Sequence, residues 1–368
     1  MVAVFKGRGE DVVEQRILVW GLSNNRAGTE AVISNYSGAL PELSFDYLCY
    51  GYPSNYEHLL ANGRNRFFTL PIKIKDPVRY SIELKRFMAS HSGEYSALWF
   101  NINDVSNIDL LRLAGRAGIE RRIVHMHNGG MPNRLVTQVF SRINWSSCLR
   151  LATDRWACSG VAGDFLFKGL DYVVVPNMVN PEKVSFSPAK RRQVRAELKI
   201  EESFVIGSIG RLEEQKNYLF LVDVLKALVD KGKDAVLLLV GEGSQREKIE
   251  ARALALGVSN RLVFAGVQDD VQAYYSAFDV AAYPSLYEGL SLAIVEAQFN
   301  GLPCILSSTI SPETIVSKAV RQVPLGDSGE WANALLDSKR KNQRLVESKA
   351  NVFDIRGIRA RAERLFVV

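Results

Sequence analysis

No apolar run in this 368-residue chain reaches the roughly 18 residues that a bilayer span requires, and residues 1–14 lack the apolar centre of a secretory signal. The expected location is cytoplasmic, at the inner face of the cell membrane if a basic segment meets lipid. Cysteine is scarce: Cys49, Cys148, Cys158 and Cys304 show neither Cys-x-x-Cys nor Cys/His metal spacing, which favours buried reduced thiols over bridges or zinc ligands. Asp-x-Asp is absent, which removes the commonest acidic signature for holding a divalent metal. No repeat or low-complexity segment stands out. Disorder is not indicated at 47% apolar and 23% charged residues, and the length suffices for two domains with separate cores. The net charge of +6 is modest, and the cations are not interleaved with a recognisable nucleic-acid motif.

What is present centres on Pro284-Ser-Leu-Tyr-Glu-Gly-Leu-Ser-Leu-Ala-Ile-Val-Glu-Ala-Gln-Phe-Asn-Gly301. An apolar strand, Asp279 to Tyr283, leads into it and a helix leaves it. Glu288 and Gly289 therefore fall on a strand-to-helix loop, where backbone N–H groups bind anions. Ser291 suits the N-cap. Glu296 lies among Ala293, Ile294, Val295 and Ala297, so it is expected to be largely buried and to need partners. Two glutamates bracketing a helix N-terminus suit a ligand with hydroxyls and phosphates, as a sugar nucleotide has. A structural ion pair and a solvated loop would produce the same pair.

The chain alternates strands with helices. In the first half, strands are expected at 15–22, 43–50, 96–101 and 122–126, with helices at 31–38 and 108–117. Gly28 stands where the first strand hands over to a helix, a place where a phosphate can approach closely. Residues 64–86 carry seven cations against Asp76 and Glu83, a face suited either to solvent or to anionic lipid. Alternation puts His125 and His127 on one side of a strand, with His127 nearer its carboxyl end and so the better site candidate. Pro176-Asn177, Pro181 and the polar stretch 183–197 have the character of an interdomain connection. From Ser203 a second alternating series begins. Such alternation implies parallel sheets covered on both faces, here twice. Residues 353–368 read as a closing amphipathic helix.

In the second series the distinctive residues all follow carboxyl ends of strands: Gly210, Arg211 and Lys216, then Gly241-Glu242-Gly243, Gly266-Val267, and Glu288-Gly289. In a parallel sheet these ends share one edge, so one crevice can contain them. A diphosphate there would meet Arg211, Lys216 and the helix dipole at Leu290-Ser291, together roughly +2.5 charges, without a metal.

Gly-Arg-Leu-Glu-Glu-Gln-Lys-Asn217, Leu-Leu-Val-Gly-Glu-Gly243, Val-Phe-Ala-Gly266 and Glu-Gly-Leu-Ser-Leu-Ala-Ile-Val-Glu-Ala297 resemble the retaining glycosyltransferases of family 4. The likeness is strongest over residues 203–313. It is weaker at Ala-Gly-Thr-Glu30, His-Met-His-Asn128, Ala-Cys-Ser159 and Val-Pro-Asn-Met-Val-Asn180, where it is most similar to bacterial capsule and exopolysaccharide enzymes. The resemblance implies the GT-B fold: two Rossmann-like, doubly wound parallel-sheet domains facing each other across a cleft. The expected divisions are an acceptor-side domain at 1–180, a nucleotide-sugar domain at 181–350 and a closing helix at 351–368.

The same resemblance implies that Arg211 and Lys216 hold the donor diphosphate, with Gly210, Gly289, Leu290 and Ser291 near phosphate and sugar. Glu296 would bind ribose, Glu288 the transferred sugar and backbone near Val267 the base. Gly28 would face the phosphates, and His127 would line the reaction centre. Ala27, Met178 and Ser291 depart from the residues common in relatives, and none of the three changes removes a charged site residue. The implied reaction transfers a hexose-type sugar with retention from a UDP-sugar to a glycan, lipid-linked or protein hydroxyl, with no cofactor. The rivals are a nucleotide-sugar epimerase or sugar phosphorylase, and a catalytically silent partner of an active transferase.

Overall fold

The computed structural model describes residues 15–24, 28–132, 134–288, 290–338 and 348–367. The chain divides into two compact units, one of residues 1–158, 162–175 and 359–368, the other of residues 159–161 and 176–358.

The first unit runs β1 (Arg16–Trp20), α1 (Gly28–Gly38), β2 (Ser44–Tyr50), β3 (Arg66–Leu70), α2 (Pro77–His91), β4 (Ala97–Ile102), α3 (Asp109–Arg116), β5 (Arg121–Met126), α4 (Leu135–Leu151), β6 (Asp154–Ala157), α5 (Gly160–Phe167) and β7 (Val173–Val174). Its seven strands are parallel in the order β3-β2-β1-β4-β5-β6-β7. Every residue of β4 is buried, as a central parallel strand covered on both faces requires. On one face Leu98, Phe100 and Val124 pack with Leu84 of α2 and Leu111 of α3. On the other, Phe366 of the C-terminal helix (Ile358–Phe366) meets the rings of Phe45, Trp99 and Trp156 at 5.0 to 5.8 Å. Arg121 donates to the Leu365 carbonyl at 2.6 Å, holding that helix's end. The helix begins five residues later than position 353, because Asp354 caps a short 3-10 turn at Ile355–Gly357 instead.

The second unit runs α6 (Pro181–Val184), α7 (Pro188–Leu198), β8 (Phe204–Ile209), α8 (Tyr218–Asp230), β9 (Ala235–Val240), α9 (Arg246–Ala255), β10 (Leu262–Gly266), α10 (Val271–Ala277), β11 (Val280–Tyr283), α11 (Leu292–Phe299), β12 (Cys304–Ser307), β13 (Val320–Val323) and α12 (Ser328–Asp337). The six strands are parallel in the order β10-β9-β8-β11-β12-β13. The stretch 183–197 is not a connection. Asn180 and Ser187 cap α6 and α7, and Arg191 and Arg195 of α7 clamp the Asp279 carboxylate at 2.6 and 2.5 Å, which makes the segment part of this unit. All four cysteines are buried and free, as their spacing implies.

Candidate active site

Strand order reverses between β8 and β11, and an open α/β sheet binds its ligand at such a switch point, beyond the strands' carboxyl ends. The loops leaving β8 and β11 are joined there. After Gly210 and Arg211 the chain makes a 3-10 turn, Glu214–Lys216, and Asn217 then turns left-handed with φ of 54°. Asn217 Nδ2 donates to the Pro284 carbonyl at 3.2 Å. Leu286 N–H donates to the Gln215 carbonyl at 2.8 Å, and Gln215 Nε2 donates to the Tyr287 carbonyl at 2.9 Å and more weakly to Glu288 Oε2 at 3.4 Å.

Lys216 Nζ donates to Glu288 Oε1 at 2.5 Å, and Ser285 Oγ donates to the same oxygen at 2.7 Å. The lysine and glutamate side chains are 14% and 7% exposed, so this charge pair is largely desolvated. Two glycines make room for it. A Cβ on Gly210 would stand 2.9 Å from the Tyr218 hydroxyl and 3.4 Å from Lys216 Cε, pushing the lysine stem aside. Gly241, at φ of 132°, lets β9 end 2.1 Å, in Cβ terms, from the Gly210 carbonyl oxygen, a place no side chain fits.

Arg211 is exposed, and its guanidinium forms no hydrogen bond or ion pair among the described residues. Glu213 nearby is engaged by the hydroxyl and N–H of Ser244 at 2.8 and 3.1 Å. The compensating charge must count Glu288, whose contact with Lys216 reduces the two cations and the helix dipole to roughly +1.5 while the pair is closed.

Ser291 occupies the N-cap position of α11, yet its side chain makes no capping hydrogen bond, so the expected cap is not formed. Leu290 packs against the cluster of Val179, Val184, Val295 and Phe299, which anchors the start of the helix. Gly289 and Ala27 lie outside the described residues. Glu296 is only partly covered as a residue, but burial of its carboxyl raises the pKa to about 7, and the hydrogen bond donated by the Tyr275 hydroxyl at 2.9 Å offsets part of that rise. Val267 follows Gly266 and is exposed.

Gly28 and His127 belong to the other unit. Gly28 opens α1, whose buried Glu30 accepts from Ser23 Oγ at 2.5 Å. His127 Nε2 lies 2.9 Å from Asn101 Oδ1 at the end of β4, and Asn101 Nδ2 donates to the Trp99 carbonyl, which assigns the Nε2–H tautomer to His127. Nδ1 is then a buried acceptor with no partner. Burial lowers the His127 pKa to about 3, so the ring is neutral. Its ring lies 4.2 Å from that of His125, as strand alternation requires. His125 is fully buried, accepts from Trp99 Nε1 at 3.3 Å and interacts with the Val175 backbone, so it is a core histidine.

The structure thus joins Gly210, Lys216 and Glu288 by direct contact and sets Arg211, Val267, Leu290, Ser291 and Glu296 along the same sheet edge. Gln215, Ser285, Asn101 and Tyr275 were not among the expected site residues. Gln215 and Ser285 adjoin the motifs, whereas nothing in the sequence links Tyr275 to Glu296. Among the described residues no three of His, Cys, Asp and Glu gather into a group able to hold a metal ion. None of their helices is long and apolar enough to cross a membrane.

Two parallel α/β sheets, the second in the dinucleotide-fold order with an anion-directed switch point, define the GT-B class. Residues 203–338 match the model of the glycosyl transferases group 1 family. The chain is 29% identical over 315 residues to the putative glycosyltransferase EpsF of Bacillus subtilis, covering 81% of this chain and 80% of that one. It is 33% identical over 171 residues, 44% of each chain, to the UDP-Gal:alpha-D-GlcNAc-diphosphoundecaprenol alpha-1,3-galactosyltransferase of Escherichia coli. The crystal structure of Anabaena HepE in complex with UDP and glucose superposes with a TM-score of 0.75 at 20% identity, over 96% of this chain and all of that one. The chain carries a glycosyl transferases group 1 domain over residues 203–338, is similar to named glycosyltransferases and has the GT-B fold, in keeping with the resemblance read from its motifs.

Proposed function

We propose that this chain transfers a hexose-type sugar from a UDP-sugar to a hydroxyl of a glycan or lipid-linked acceptor, with retention at the anomeric carbon and without a metal. The observation that carries it is the Lys216–Glu288 pair at the switch point, fixed by Gln215 and Ser285 beside an unpaired Arg211. Arg211, Lys216 and the N-terminus of α11 take the diphosphate, Glu296 the ribose hydroxyls, and backbone near Val267 the base. The similarity to the Escherichia coli galactosyltransferase supports the donor and acceptor classes, since that enzyme uses UDP-Gal and a diphosphoundecaprenol-linked sugar. The capsule-type pattern of the first half favours surface polysaccharide synthesis.

In this mechanism the bond from the anomeric carbon to the β-phosphate oxygen breaks through an oxocarbenium-like state, and the acceptor oxygen attacks from the same face. The departing phosphate oxygen takes the acceptor's proton, so no strong protein base is needed. Negative charge grows on the diphosphate, and Arg211 and Lys216 act there most strongly. As that charge grows, Lys216 shifts its share of bonding from Glu288 to phosphate, which leaves the carboxylate beside the positive sugar. His127, held neutral by burial and fixed by Asn101, lines the reaction centre. The second unit is the donor domain and the first carries the acceptor side.

Turnover by the purified chain alone, with a panel of nucleotide sugars and a lipid-linked or soluble glycan acceptor, tests the proposal. Donor conversion without acceptor would indicate an epimerase, dependence on inorganic phosphate a phosphorylase, and no turnover without a second protein a silent partner.

A further inference from the structure

Helix α4 exposes a broad apolar stripe: Leu135, Val136, Val139, Phe140 and Ile143, with Leu135 at 72% and Ile143 at 65% exposed. At 100° per residue these five positions span an arc of about 140° on one side of the helix. Buried Ser141, Asn144 and Cys148 mark the opposite, core-facing side. Stripes of this size on a soluble surface mark an interaction site.

The charge around the stripe has one sign. From Arg134 to Leu151 there are three cations, Arg134, Arg142 and Arg150, all exposed, and no acidic residue. By helical position Arg142 flanks the stripe and Arg150 continues it, where long stems lie along apolar surface and guanidinium heads reach outward.

Helix α3 packs between α4 and α2, so α2 lies on the same face of the first unit's sheet. Its leading edge repeats the pattern. Ile74 and Val78 are 86% and 69% exposed, and Ile82 follows one turn later, with Lys75, Lys85 and Arg86 exposed among them. The neighbouring acids are already engaged: Glu83 pairs with Arg79, Asp109 with Lys73, and Asp76 caps α2. Three of the cations in 64–86 are thereby neutralised, since Arg66 also pairs with Asp46 and Glu94. Charge alone would not draw this segment to lipid, but exposed apolar side chains interleaved with the remaining cations suit an anionic interface.

We propose that the α2–α4 face of the first unit is a docking surface for an anionic lipid bilayer. Apolar side chains enter the headgroup boundary, and the arginines and lysines meet lipid phosphates. A broad apolar stripe bordered by cations of one sign matches the layering of such a bilayer, apolar beneath an anionic headgroup plane. The assignment concerns the surface only and does not depend on which sugar or acceptor is used.

The test is co-sedimentation of the full chain with vesicles of phosphatidylcholine alone and with added phosphatidylglycerol. The chain should partition onto the mixed vesicles and much less onto neutral ones. The double variant Phe140→Ser/Ile143→Ser should lose on the order of tenfold or more in partition coefficient. Lys85→Glu/Arg86→Glu should lose roughly fivefold for each cation removed, with less loss at high salt. Both variants should keep the parent melting temperature and its stabilisation by UDP. No partition of the parent chain, or equal partition of the variants, would overturn the proposal. So would light scattering that shows a dimer dissociated by Phe140→Ser/Ile143→Ser, which would make the face a contact between two copies.

Discussion

Replacing Lys216 with Met separates the structural contact this lysine makes from its proposed role at the diphosphate. It keeps most of the stem and removes the ammonium that lies 2.5 Å from a carboxylate only 7% exposed. Breaking a fully buried ion pair costs about 3–5 kcal/mol, because the surviving charge is left uncompensated. Glu288 retains the Ser285 hydroxyl at 2.7 Å and a weak Gln215 bond, so the expected cost is smaller, about 2–3 kcal/mol. The second unit, residues 159–161 and 176–358, should then melt roughly 5–8 °C lower. Lys216→Met/Glu288→Gln removes both charges and should recover most of that loss, while turnover stays depressed by about 10²–10³-fold, as for a lost oxyanion donor. Thermal melts of the parent, both singles and the double variant, with turnover measured on each, complete the cycle. A single variant as stable as the parent, or a double variant that regains turnover, would refute the idea that this pair is both a desolvated structural contact and part of the diphosphate site.

Three other outcomes are expected. Arg211→Ala should leave the melting temperature nearly unchanged, since its exposed side chain has only a solvent-screened charge interaction with Glu213, yet reduce kcat about 10²-fold or more; unchanged turnover would count against it. Glu296 has a folded pKa of about 7, above its unfolded value near 4.5, so the folded state holds the proton more tightly and stability falls as pH rises between those values. Glu296→Gln should therefore be more stable than the parent at pH 8, by about 1–3 kcal/mol, and flatten the pH profile of melting while weakening nucleotide binding. His127, with its pKa lowered to about 3, stays neutral, so its ring NMR signals should not titrate between pH 8 and 5; a midpoint near 6.5 would disprove the buried neutral ring.

The doubly wound architecture was legible because buried parallel strands leave continuous apolar runs such as Ala235–Val240 and because the loop glycines sit at their carboxyl ends. β3 and α2 were missed, although Asp76 followed by Pro77 is a helix-start signal and Asp76 does cap Arg79 N–H at 3.0 Å; the density of cations drew attention to charge instead of pattern. Polar α7 passed for a linker because its two arginines point at Asp279, some 84 to 88 positions away, a contact that no local pattern announces. In the candidate site, residue types and order singled out Lys216 and Glu288. Their direct pairing, and the tyrosine that α10 brings to Glu296, depend on tertiary packing.

Titration of UDP into the parent chain and Arg211→Ala by calorimetry, in buffer containing a chelator, tests the central claim most directly. Binding at one site per chain without added metal, weakened at least tenfold by Arg211→Ala, is the predicted result. No binding until a divalent metal is supplied, or an affinity indifferent to Arg211, would contradict a diphosphate site made from the β8 and β11 loops.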